Sequence, residues 1–175
     1  RDKNMQSVED LRGKRIATIF SSTSHLSLLK TLEKHHMSPK DVTLLNMETA
    51  EIVAAWKRGD LDAAYTWEPT LSAIKDEGHV LVTSKDLADE GLMTTNIGLV
   101  HQEFAKDHED ALLKFIECLD KAYKLRKNDF DKVVSDAATY LGIDTNLTET
   151  QLKGSQWISK EDLIIDRFMS HNFID

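Results

Sequence analysis

Four hydroxyl residues in a row, Ser21, Ser22, Thr23 and Ser24, are followed at once by His25. They come straight after the apolar run I-A-T-I-F at residues 16–20, which reads as a buried strand. They lead into a helical pattern whose apolar face includes Leu26, Leu28, Leu29 and Leu32. A strand that ends in hydroxyls at a helix N-terminus offers free backbone N–H groups, side-chain donors and the positive end of a helix dipole. That chemistry suits an oxyanion such as a carboxylate, phosphate or sulfonate. The same residues also fit a plainer role, with one hydroxyl capping the helix and the others filling the loop. For His25, a solvent-facing position at the helix start and a ligand contact are both open.

Other constellations carry less. No nucleophile is placed with a partnering His and acid, and no phosphate-binding glycine loop or metal pair is present. Adjacency of Ser21–Ser24 to His25 does not make a triad, whose geometry is set in space. His35-His36 has no third ligand at usable spacing and reads as a solvent-facing pair at a helix end. Cys118 has no partner for an internal disulfide, and its place in a helical pattern predicts a packed thiol. Asp60 and Asp62 flank a turn and read as structural, Trp56 as core, and the acidic stretch 86–90 as a solvated loop. No cofactor or metal is implied, and the reading is of a non-enzyme.

The 175 residues suffice for one domain or two small lobes with a real core. With 22 basic against 30 acidic residues the net charge is -8, which argues against a nucleic-acid partner. No apolar run approaches the roughly 20 residues a membrane-spanning helix needs. The sequence opens on Arg1 rather than Met and reads as a piece of a longer protein, so targeting signals are not to be sought in it.

The elements that must position the hydroxyl loop alternate. After a polar entry tail (1–6) and a helical turn (7–11) closed by Gly13, the strand at 16–20 leads to a helix over 24–36 that Ser38-Pro39 breaks. A strand at 42–47, a helix at 50–58 ending at Gly59, and a strand at 62–67 stopped by Pro69 follow. A helix at 70–76 and a strand at 80–83 complete the run. This is the pattern of an α/β fold with a parallel-rich sheet flanked by helices. Ligands of such sheets sit beyond the carboxyl ends of the strands. The loops there are Ser21–Ser24, Glu48–Thr49 and Trp67–Glu68, and they are predicted to converge. Beyond Gly91 a lone strand at 94–100 precedes a helical segment, with helices over 108–127, 130–141, 148–152 and 161–169. Pro and Gly are too sparse there for a flexible linker.

Several blocks carry a family likeness. Val8-Glu9-Asp10-Leu11-x-Gly13-Lys14-Arg15-Ile16-Ala17 resembles the entry to the second lobe of periplasmic solute-binding proteins of ABC importers. Further blocks resemble the taurine-binding branch of the nitrate/sulfonate/taurine group. These are Phe20-Ser21-Ser22-Thr23-Ser24-His25-x-Ser27-Leu28-Leu29, Ala54-Ala55-Trp56-x-Arg58-Gly59-Asp60-Leu61-Asp62, Ala64-Tyr65-Thr66-Trp67-x-Pro69 and Glu103-Phe104-Ala105-Lys106. Residues 8–125 follow that family in order, and Leu152-Lys153-Gly154 still fits it.

The resemblance implies a two-lobed clamp that binds a small anion such as taurine or an alkanesulfonate in its cleft and hands it to an ABC permease. It implies a periplasmic or lipid-anchored extracellular location. Residues 1–13 would be an entry linker, 14–93 the second α/β lobe, 94–100 a crossing strand and 101–175 helices belonging to the first lobe. With the first lobe's own strands missing, exposed apolar surface or self-association is expected in 101–175. Ser22, Thr23, Ser24 and His25 would hold the anionic head, and Trp67 would present its indole to the ligand. Glu68 stands where the taurine-binding relatives carry a small residue, and Asn96 where they carry an aspartate that pairs with the ammonium. Glu68 or Glu48 then takes over the cation, or the ligand carries no free amine. A pyrimidine-precursor synthase and the effector-sensing domain of a transcription regulator share the fold and are the alternatives.

Overall fold

The structure is a computed structural model and describes residues 5–94, 97–155 and 157. The chain forms two compact units, Arg1–Ile97 and Gly98–Asp175.

In the first unit three parallel strands, β1 (Arg15–Thr18), β2 (Thr43–Asn46) and β3 (Ala63–Ala64), form a sheet in the order β2-β1-β3. Ala17 lies level with Leu45 on one side and Ala64 on the other. Successive side chains of a strand face opposite ways. Ile16 therefore enters a core with Met5, Val8, Leu11, Leu28, Leu32, Met37 and Val42. Ala17 enters a second one with Ile52, Ala55, Trp56, Leu61 and Ile74. With both faces covered, Ile16, Ala17 and Thr18 of β1 are all buried, without the alternation of a half-exposed strand. Each fully buried Ile or Leu contributes about 1.5–3 kcal/mol of apolar transfer. Met5, in the segment read as an entry tail, is buried with Val8 and Leu11, and its carbonyl accepts a hydrogen bond from His79 Nε2.

The helices of this unit are α1 (Thr23–Lys34), α2 (Thr49–Arg58), α3 (Thr70–Ile74) and α4 (Ser84–Asp89). The inner face of α1 carries Ser24, Ser27, Leu28, Thr31 and Leu32. Thr31 Oγ1 donates to the Ser27 carbonyl at 2.8 Å, which satisfies a buried hydroxyl. Leu26 is 46% exposed, against the expectation that it shares the apolar face; residues two apart on a helix do not point the same way. Gly59 ends α2 with φ 83 and donates to the carbonyls of Ala55 and Trp56, a left-handed cap that suits glycine. Trp56 is core, as read. Asp62 is structural: its Oδ2 accepts from the Arg15 amide (2.9 Å) and Nε (3.0 Å), and its Oδ1 from Nη2 (3.1 Å). Those bonds from Arg15 hold the Asp62 carboxyl below its ordinary range.

Four local expectations change. The strand read at 62–67 is reduced to Ala63–Ala64, because β3 pairs with β1 alone and the chain then turns away toward Pro69. Residues 80–83 form no strand, and Val80 is 53% exposed. The stretch 86–90 is not a loop but most of α4 and its end. There the Asp86 carboxylate accepts from the Thr83 amide (2.7 Å) and hydroxyl (2.6 Å), while Leu87 is buried. That is a capping box read in sequence as mere acidity. The strand expected at 94–100 has no strand geometry at its described residues, 94 and 97–100.

The second unit holds α5 (Gln102–Asp107), α6 (Glu109–Asn128), α7 (Phe130–Leu141) and α8 (Thr145–Lys153). Val134, Ala138 and Thr148 are buried where α7 meets α8. Arg126 Nη2 donates to the carbonyls of Leu152 (2.6 Å) and Ser155 (2.8 Å), with its guanidinium over the rings of Phe130 and Trp157. No residue of α6 is buried, so Cys118 is an exposed thiol and not the packed one expected. Leu113, Phe115, Ile116 and Leu119 are exposed on the same helix, the apolar surface foreseen for this half. The helix expected at 161–169 lies outside the described residues. No described helix is long and apolar enough to cross a membrane.

Candidate ligand-binding site

The order β2-β1-β3 places β1 in the middle, so the chain leaves β1 toward one edge for β2 and crosses back over it for β3. The reversal makes the carboxyl end of β1, beside β3, the crevice where ligands of doubly wound sheets bind. Three loops open there side by side: 19–22 after β1, 47–48 after β2 and 65–69 after β3. The first is tied to the end of β2, since Asn46 Oδ1 accepts the Phe20 amide at 2.8 Å. Asn46 was missed in sequence because an amide at a strand end has no signature until the neighbouring strand is known.

Within the hydroxyl loop the donors divide. Ser22 caps α1: its Oγ accepts the His25 amide at 3.2 Å and donates to the Ile19 carbonyl at 2.6 Å. Its hydroxyl is thus spent on its own backbone rather than offered outward, because a residue in extended geometry just before a helix is best placed to satisfy an orphan amide. Ser21 adopts φ 61 and donates its amide to His25 Nδ1 at 3.2 Å. The His25 ring also stacks on Phe20 at 4.5 Å. His25 therefore braces the loop. Thr23 is exposed and Ser24 is 7% exposed; among the described residues, no acceptor is found for the amide of either. These two first-turn N–H groups point out of a twelve-residue helix and are the uncommitted donors of the site.

The other candidates are placed as follows. Trp67 is 42% exposed and so is not core filler. Glu68 is half-buried, and its Oε2 accepts the Ser72 amide at 3.0 Å. Glu48 is exposed at the start of α2, where its amide donates to Glu51 Oε2 at 2.8 Å. Asn96 lies outside the described residues. His35 Nδ1 meets Glu9 Oε1 at 2.7 Å rather than facing solvent alone. Among the described residues no group of three or more His, Cys, Asp or Glu could hold a metal ion.

The arrangement can hold an oxyanion without a full countercharge, and the relatives of the chain match that chemistry. The family model described as NMT1/THI5 like matches residues 1–132. The taurine-binding periplasmic protein of Escherichia coli strain K12 is 39% identical over 113 residues, 65% of this chain and 35% of that protein. The crystal structure of the periplasmic aliphatic sulphonate binding protein SsuA from Escherichia coli superposes with a TM-score of 0.75 at 22% identity, over 89% of this chain and 53% of that one. The alkanesulfonate-binding protein SsuA from Xanthomonas axonopodis pv. citri, bound to MOPS, gives a TM-score of 0.72 at 26% identity, over 91% of this chain and 56% of that one. All three are binding proteins, not enzymes. The chain spans from about a third to just over half of their lengths. Its fold is periplasmic-binding-protein-like, a small parallel sheet flanked by helices, and the chain belongs to the NMT1/THI5-like family.

Proposed function

We propose that this chain is part of a solute-binding protein that holds taurine or a related small sulfonate at the carboxyl end of β1. The observation that carries the reading is the pair of uncommitted amides of Thr23 and Ser24 at the start of α1, at the strand-order reversal. A sulfonate spreads one charge over three oxygens, so several neutral donors and a helix N-terminus suit it. Ser22 and His25 shape the loop, Trp67 lines the mouth, and Asn96 contributes a neutral amide. Glu48 stays solvated at the far edge. Passage of the ligand to an ABC permease, an extracytoplasmic location, and a division into a second lobe (14–93) and first-lobe helices (101–175) belong to the same proposal. Support comes from the relatives that bind taurine and alkanesulfonates. Calorimetric titration of the full-length gene product with taurine, ethanesulfonate and MOPS tests it. Saturable binding of at least one is expected, and no heat from any of them would overturn the reading.

A further inference from the structure

We infer that a proton on His25 gates this site: the loop is latched while Nδ1 of the ring carries no proton, and acidification releases the ligand. The inference rests on the sulfonate reading above. A backbone N–H can only donate, so the 3.2 Å contact from the Ser21 amide makes His25 Nδ1 the acceptor and leaves the proton of the neutral ring on Nε2. That bond joins residue 21 to residue 25. It therefore encloses Ser22, which caps α1, and Thr23 and Ser24, which carry the uncommitted amides. The Phe20 ring stacks on the same imidazole and closes the loop from its other end.

Protonation turns Nδ1 into a donor that faces the Ser21 donor, and the bond is lost. Ser21 then has reason to move: at φ 61 it holds a left-handed backbone that a serine keeps only while its surroundings impose it. As it relaxes, the entry to the first turn of α1 changes with it. No carboxylate steadies the charged ring, which makes no other hydrogen bond and no ion pair among the described residues. The charges of α1 lie further along the helix and are paired: Lys30 with Glu33, Lys34 with Glu90 beyond α4, and His35 with Glu9. On α4, Lys85 pairs with Asp89, and Asp86 is bonded to Thr83. Arg15 and Asp62 pair at the opposite end of β1. Glu51 accepts the amide of the exposed Glu48 at the start of α2, and Glu68 accepts the Ser72 amide.

The test titrates the full-length gene product with taurine and with ethanesulfonate from about pH 7.5 to about pH 5, the range in which histidine changes charge. The sulfonate group stays ionised throughout, so a change in affinity belongs to the protein. Wild-type affinity is expected to be full at the upper end and to fall about fivefold as the ring takes up its proton, the size of one lost hydrogen bond. In His25→Asn the side-chain Oδ1 stands where Nδ1 stood and accepts the Ser21 amide but takes up no proton. Whatever the affinity of that variant, it is expected to be the same at both ends of the range. In the ligand-free wild type, the amide proton resonance of Ser21 is expected to shift with the His25 ring at one shared midpoint. An affinity that stays constant, or that rises in acid because an imidazolium attracts the anion, overturns the inference. So does a Ser21 resonance that ignores the ring, or a His25→Asn variant that keeps the wild-type pH profile. Absence of binding by both ligands and by MOPS at the upper end removes the sulfonate reading and the gate together, whereas binding that ignores pH removes the gate alone.

Discussion

Phe20 and His25 lie face to face, with ring centroids 4.5 Å apart and planes within 7°. The stack holds the loop between β1 and α1 closed, because the same imidazole accepts the Ser21 amide through Nδ1. His25→Ala is expected to cost about 0.5–1.5 kcal/mol of stability from the lost ring pair. Its larger effect should be on sulfonate affinity, through a loosened loop. Urea denaturation and titration together check this; an unchanged affinity would mean the loop keeps its shape without the ring.

Ser22 is the cap that orients the first turn of α1. Ser22→Ala leaves the His25 amide without its acceptor and is expected to lose about 1 kcal/mol, whereas Ser22→Asp, which can still cap, should keep most of it. Denaturation midpoints of the two variants decide. Equal losses would assign the effect to packing rather than to the hydrogen bond.

The Arg15–Asp62 contact should appear in the pH dependence of stability. Bonds from Arg15 depress the Asp62 carboxyl below its ordinary 3.8. A depressed acid stabilises the fold fully above its unfolded value, and that stabilisation is lost as pH falls through the lower folded value. The Tm deficit of Asp62→Asn against wild type is therefore expected to be largest near neutral pH and to shrink below about pH 4. A deficit that stays constant down to pH 3 would contradict the ion-pair account.

On α6, Leu113, Ile116 and Leu119 recur at three-residue spacing and are all about half exposed. The 175-residue chain is expected to bind a hydrophobic dye there, and Ile116→Lys with Leu119→Lys should abolish most of the signal without a large change in helix content. Full dye fluorescence in the double variant would place the binding elsewhere.

The strand–loop–helix unit at 16–34 was legible in the sequence because local chemistry decides it: β-branched residues, then hydroxyls, then an apolar face of helical period. The family likeness was legible for the same reason, since its motifs are contiguous. Pairing and commitment were not. Ala63–Ala64 stops where its single neighbour β1 stops supporting it, and residues 80–83, apolar enough for a strand, find no partner among the described residues. Nor could composition tell which hydroxyl would be consumed. Ser22 and Thr23 are equal as donors on paper, and only the extended geometry before α1 turns the first inward as a cap and leaves the amide of the second uncommitted. Residue type and spacing set what chemistry the loop can do. Which groups are free to do it depends on hydrogen bonds between segments far apart in the chain, such as Phe20 to Asn46, and these exist only once the sheet has formed.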